Sequence, residues 1–231
     1  MQTNPSVFRQ NRIYFSGLLF IILAGMLYLA VNGKSAAFIA LNAYHPFALN
    51  VFFINYTFMG DGIFALCLIA AILFYYKRKQ QGLALLYSFL ISGLIVQLIK
   101  NLVNAPRPKL FFEAGQYLHF IDGVSLANNS SFPSGHTATA FALATVMVMM
   151  MKDKSWQLLI LIGAMLVGYS RIYLAQHFLL DVVIGAVIGS ASAVVAVYIA
   201  TNIKGIKRSI KKMHRLPSGN PAASPSAIQP V

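Results

Sequence analysis

Charge is scarce in this chain, and negative charge scarcest: 10% of the 231 residues are charged, with five Asp and Glu against eighteen Lys and Arg. Soluble domains carry about 25% charged residues, so a water-solvated globule is excluded and lipid is the expected solvent. Cysteine is almost missing too. Cys67 stands alone, which rules out a disulfide framework; inside an apolar run, it is expected to be a buried, inert small hydrophobe. No A-x-A cleavage site accompanies the first apolar run, Ile13–Val31, which is also longer than a typical signal-peptide core. It is therefore expected to be a retained span. No internal repeat stands out.

Hydrophobic residues make up 58% of the chain. Six runs read as membrane spans: Ile13–Val31, Gly62–Tyr76, Leu83–Ile99, Thr137–Met151, Trp156–Ser170 and Val182–Thr201. The fold class expected is all-α, a polytopic six-transmembrane-helix bundle with interfacial helices. Several runs fall short of the roughly 20 residues that cross hydrocarbon, so they are expected to extend into neighbouring polar residues that face protein or water. Residues 1–12 form an N-terminal arm, 13–203 the membrane domain, and 204–231 a basic and then disordered tail rich in Pro, Ser and Ala.

A net charge of +13 raises the possibility of nucleic acid, but the basic residues cluster between apolar runs and in the tail. That pattern fits anionic headgroups and topology control, so no nucleic-acid partner is expected. Placing the N-terminus inside puts thirteen Lys and Arg in the cytoplasm and leaves Lys34, Lys100, Arg107, Lys109 and Arg171 outside. The positive-inside bias predicts that both termini are cytoplasmic. Residues 35–61 are interrupted by Asn42, His45, Pro46, Asn50 and Asn55, while Leu49, Phe52, Phe53 and Tyr56 recur at helical spacing. One or two interfacial amphipathic helices are expected there, with packed core as the alternative.

The remaining polar residues converge at the outward ends of four spans. Lys100 closes the third and Arg107 follows it; His136 opens the fourth; Arg171 closes the fifth; His177 and Asp181 open the sixth. Three cations suit a phosphoryl group, whose transfer depends mostly on positioning and electrostatic stabilisation, and Arg engages two oxygens at once. In "PSGH", Pro133 suits a first helical turn. The N–H groups of Ser134, Gly135 and His136 would then be free at a helix N-terminus, an anion site. His177 and Asp181, four apart, share a helical face, so the carboxylate can orient the imidazole as in a catalytic triad. The other ring nitrogen is then free to attack phosphorus, with His136 as the opposing general acid. Two histidines and one carboxylate among three cations make a poor divalent-metal site, and no metal or other cofactor is expected.

These residues fall into three motifs: "KNLVNAPRP" from Lys100 to Pro108, "PSGH" from Pro133 to His136, and "SRIYLAQHFLLD" from Ser170 to Asp181. In order and spacing they resemble the signature of the type 2 phosphatidic acid phosphatase superfamily, firmly over residues 83–201. The resemblance implies a six-helix membrane enzyme that hydrolyses lipid phosphates without metal through a phosphohistidine. It implies His177 as nucleophile, Asp181 as its partner and His136 as acid, with Lys100, Arg107, Ser134, Gly135 and Arg171 holding the phosphoryl group. Expected substrates are undecaprenyl diphosphate, phosphatidylglycerol phosphate, phosphatidic acid or the 1-phosphate of lipid A. The expected location is the bacterial inner membrane, with the site on the extracytoplasmic face. A phosphotransferase using the same site, or a non-catalytic lipid-binding or transport protein, are the rival readings, and the oligomeric state is left open.

Other polar residues are expected to be structural. Lys34 and Lys109 are expected to snorkel at helix ends, and His45, His119 and His214 to be surface or structural residues. Asp61 and Asp122 lack matching partners. Gly185 and Gly189 form a GxxxG expected to serve packing within the bundle.

Overall fold

A computed structural model describes residues 5–112, 118, 120, 121, 124, 125 and 128–213. His119, Asp122, His214 and the expected disordered tail lie outside the described residues. All described regular structure is helical. In chain order it comprises α1 (Pro5–Gln10), α2 (Arg12–Leu41), α3 (Phe47–Tyr56), a 3-10 turn (Thr57–Gly60), α4 (Gly62–Ala70) with a π-helical extension (Ala71–Tyr75), α5 (Lys79–Val103), α6 (Pro108–Phe111), α7 (Gly135–Met150), α8 (Gln157–Tyr173) and α9 (Leu179–Met213). Met1–Ala200 is one compact unit; from Thr201 the chain belongs to a second, helical as far as Met213.

Three stretches are long and apolar enough to cross a membrane, Arg12–Leu41, Lys79–Phe111 and Leu179–Asn202, and the bent pair Phe47–Gly60 and Gly62–Tyr75 makes a fourth. The shorter apolar helices are α7 and α8. At 1.5 Å per residue, the 16 residues of α7 span about 24 Å. α7 offsets its shortness by position: Thr137 to Val146 are buried without interruption, so this helix lies at the centre of the bundle. Its Ala- and Thr-rich sequence lets neighbours approach closely.

The tightest approach is by α9. A Cβ on Gly185 would lie 2.6 Å from the Ser134 carbonyl oxygen, and one on Gly189 would collide with the Ala138 carbonyl oxygen. The GxxxG therefore packs α9 on α7 within the chain, as the sequence suggested. On other sides, α7 contributes Leu143 and Val146 to a core with Ala65, Ile69 and Leu85, and Phe141, Ala144 and Val148 to one with Tyr14, Leu18 and Leu161.

Residues 35–61 depart from the sequence reading. α2 continues through them to Leu41, broken at Gly33, whose φ of 74° is left-handed. α3 follows, with Phe53 buried, Leu49 and Tyr56 partly buried and Asn55 exposed. Buried Asn42 donates to the carbonyls of Ile172 and Tyr173, both at 2.8 Å, satisfying end-of-helix carbonyls at the buried C-terminus of α8. Asn50 accepts from the Tyr173 hydroxyl at 2.6 Å. Meanwhile Phe47, Val51, Phe52 and Ile54 are exposed. Polar side chains turn inward because the bundle supplies their hydrogen-bond partners, as lipid does not. Cys67 is a second correction: it is exposed on α4 rather than buried. An all-round apolar run does not disclose which of its faces meets protein.

Candidate active site

The site is assembled where α5, α7, α8 and α9 begin or end. His177 lies in the short turn between α8 and α9, 2% exposed, and its Nδ1 is 3.5 Å from Asp181 Oδ2. That is ion-pair range, longer than a well-formed hydrogen bond, and Nδ1 has no closer partner among the described residues. Burial pushes the His177 imidazole down to about 4, against the opposing pull of the Asp181 carboxylate. The ring is therefore neutral at neutral pH.

Asp181 is itself held on three sides. The Ser131 hydroxyl and the Phe178 N–H both donate to Oδ2, and the Asp181 carbonyl accepts from the Ser134 N–H at 3.0 Å. This last bond corrects a sequence expectation, since the Ser134 N–H is spent on α9 and is not open to an anion. Pro133 likewise precedes the helix instead of occupying its first turn. Ser134 is the N-cap of α7; its Oγ accepts from the Thr137 N–H and, at 2.8 Å, from the Thr137 hydroxyl, leaving its own hydroxyl hydrogen to donate. A Cβ at Gly135 would meet only Val96 Cγ1, at 3.8 Å. The fold does not require glycine there.

The cations come from three directions. Arg171, 8% exposed, donates from Nη1 to Thr57 Oγ1 at 2.7 Å, and its buried Nε has no partner among the described residues. Arg107 donates from Nη1 to Gln176 Oε1 at 2.6 Å and from Nε to the Asn129 carbonyl at 3.0 Å, and Gln176 is anchored in turn by Ser125. Lys100 is close enough to Arg107, Arg171 and Asp181 for their charges to act on it. His136 lies within electrostatic reach of Arg171, His177, Lys100 and Arg107. All eight residues singled out in the sequence are thus gathered around one end of α7.

Sequence reasoning missed the residues that hold them. Ser131, Thr57 and Gln176 are uncharged and belong to no charge pattern, so nothing marked them. Asp61, left without a role, faces His136 with Oδ2 3.7 Å from Nε2. Lys34 does not merely snorkel: its ammonium sits over the rings of Phe178 and Phe111, 3.9 and 4.5 Å from their centroids. His45 packs on Tyr173 and is structural.

Two apolar cavities lie within the bundle. One, of about 350 Å³, lies between α2, α8 and α9 and is walled by Ile172, Leu179 and Val182 next to His177 and Asp181. The other, of about 380 Å³, is walled by Met59, Val167, Ala140, Leu143 and Met147. Ala140, Leu143, Ala144 and Met147 line it along α7, beginning one helical turn after His136.

The sequence model of the PAP2 superfamily matches residues 81–204. An undecaprenyl-diphosphatase from Sulfolobus acidocaldarius is 30% identical over 146 residues, which cover 62% of this chain and 68% of that protein. The crystal structure of LpxE from Aquifex aeolicus superposes with a TM-score of 0.63 at 30% identity, over 71% of this chain and 94% of that one. A transmembrane PAP2-type phosphatidylglycerolphosphate phosphatase from Bacillus subtilis superposes with a TM-score of 0.57 at 25% identity, over 88% and 98%. The matched stretch contains every motif residue from Lys100 to Asp181, and with half of the chain accounted for in this way the protein belongs to the PAP2 superfamily.

Proposed function

We propose that this integral membrane phosphatase cleaves the phosphate ester or anhydride of a lipid through a phosphohistidine on His177. The observation that carries the reading is the convergence of a buried neutral His177 on Asp181, within electrostatic reach of His136, with Arg171 offering a buried Nε that has no partner among the described residues. An unsatisfied buried donor is costly, and a phosphoryl oxygen would satisfy it.

With the Nδ1 proton directed at Asp181, Nε2 of His177 carries the lone pair that attacks phosphorus. The bond from phosphorus to the lipid oxygen breaks, and His136 protonates that oxygen as it leaves. Asp181 balances the positive charge on the phosphorylated ring. In the second half His136 takes a proton from water, the resulting hydroxide attacks phosphorus, and the P–N bond breaks to release phosphate and neutral His177. Lys100, Arg107, Arg171, the Ser134 hydroxyl and the free N–H groups of Gly135 and His136 hold the equatorial oxygens. No step requires a metal or other cofactor.

Attacking and leaving atoms lie roughly in line through phosphorus, so the lipid departs on the side of His136. This favours the cavity running down α7 as the place of the first part of the tail. The positive-inside count supports a site on the extracytoplasmic face with both termini in the cytoplasm, and the bilayer location suits a bacterial inner membrane. A six-span bundle follows if α7, α8 and the bent α3–α4 pair each count as one crossing. Undecaprenyl diphosphate, phosphatidylglycerol phosphate, phosphatidic acid and the 1-phosphate of lipid A are the candidate substrates.

Phosphate release from these lipids in detergent, with the wild type beside His177→Ala, tests the reading. The variant should lose at least ~100-fold in turnover, about 3 kcal/mol of barrier, together with an acid-labile, alkali-stable phosphoenzyme that the wild type yields on quenching. Retained turnover in the variant contradicts it.

A further inference from the structure

Asp61 lies outside the three motifs and outside the matched residues 81–204, yet the fold brings it to the site. The 3-10 turn Thr57–Gly60 delivers it, and the turn is pressed against α7: a Cβ on Gly60 would lie 2.7 Å from the His136 carbonyl oxygen and 3.0 Å from its Cβ. The two carboxylate oxygens then divide their tasks. Oδ1 accepts from the Ile63 N–H at 2.7 Å and caps α4, while Oδ2 is 3.7 Å from His136 Nε2.

We propose that Asp61 is the positioning carboxylate of His136, holding a proton on that imidazole so that it can serve as the acid. The need arises first from burial, which disfavours a charged ring, and then from its neighbours. His136 is faced by Lys100 from α5, Arg107 beyond it, Arg171 from α8 and His177 from the α8–α9 turn, all of which act against a positive charge on its ring. A general acid has to enter the reaction protonated, and a nearby opposite charge favours the charged form of an imidazole. Among the described residues Asp61 is the carboxylate at ion-pair range of His136, as Asp181 is of His177. Each histidine therefore has its own carboxylate, one deeply buried beside the nucleophile and one half-exposed beside the acid. Asp61 exchanges no proton in the cycle. His136 gives its proton to the leaving oxygen and regains one from the attacking water, and the carboxylate acts by charge alone.

This inference rests on the reading of His136 as the acid, and the experiment separates the two. Asp61→Asn removes the charge but keeps a side chain that caps helices as well as Asp does, and Asp61→Ser provides a second capping variant. Each is purified as the full chain in detergent, beside His136→Ala. An alkyl lipid phosphate, whose leaving group needs a proton, is compared with p-nitrophenyl phosphate, whose leaving group does not. For Asp61→Asn, kcat/KM on the alkyl substrate should fall about tenfold or more, within the range a general acid supplies. Its alkaline limb should move to lower pH by about one unit, while the aryl substrate changes less than about threefold.

Equal losses on both substrates, or an alkaline limb that stays in place, would overturn the proposal. So would full alkyl activity in Asp61→Asn when His136→Ala is impaired, which leaves the acid assignment standing. Full alkyl activity in His136→Ala refutes the acid assignment itself.

Discussion

At the scale of single residues, His177 is the most constrained group in the protein. Burial holds it neutral, with the imidazole pushed down to about 4. A nucleophile must be unprotonated, so the active fraction is full at neutral pH and falls about tenfold per unit once the pH drops below that value. The acid limb of kcat/KM is therefore expected near pH 4, well below the ~6.5 of an ordinary imidazole, and rates measured under brief acid exposure with an activated substrate will locate it. A limb near 6.5 would mean that His177 is solvated in the working enzyme. The motif residues themselves were legible in the sequence because charge in an apolar chain is conspicuous. Their supports were not. Ser131, Thr57 and Gln176 act through hydrogen bonds that exist only once α5, the 3-10 turn and the α8–α9 turn are brought together, and a neutral polar residue in a loop carries no signal of its partner.

At the scale of elements, the decisive contact is α9 on α7. Gly189 meets the Ala138 backbone so closely that any side chain must push the helices apart. Gly189→Leu is expected to destabilise by roughly 1–3 kcal/mol, as overpacking does, and to lower activity as well, since the same interface carries the bond from the Ser134 N–H to the Asp181 carbonyl. Thermal unfolding in detergent checks the first effect and phosphate release the second; a variant as stable and active as the wild type would refute the packing argument. The sequence announced these helices through their apolar runs, and Gly185 and Gly189 through their spacing. Helical periodicity found the face of α3 on which Leu49, Phe53 and Tyr56 pack inward, but it does not report what meets each face, and Asn50 also turns to the protein. In this bundle Asn42 and Asn50 turn inward to hydrogen-bond partners, while Phe47 and Phe52 are left exposed. Cys67 was misread for the same reason.

At the scale of the whole molecule, four helices contribute to one cluster. Lys100 lies in the last turn of α5 and Arg107 follows it, His136 opens α7, Arg171 closes α8, and His177 with Asp181 leads into α9. The bundle places residues up to 81 positions apart around one end of α7, and the short α7 is buried enough to act as the fixed post for the rest. That the cluster lies at one end was legible from alternation of spans; that its two histidines each face a carboxylate was not, because Asp61 arrives from a turn with no charge partner in sequence. The central claim is that His177 and His136 address opposite sides of one phosphorus. Vanadate adopts the five-coordinate geometry of phosphoryl transfer, so a crystal structure of the protein with bound vanadate tests the claim most directly. The vanadium should be bonded axially to His177 Nε2, with the opposite axial oxygen within hydrogen-bonding distance of His136 and equatorial oxygens on Arg171, Arg107 and Lys100. Vanadate bound without a bond to His177, or with His136 turned away from the axial oxygen, would contradict it.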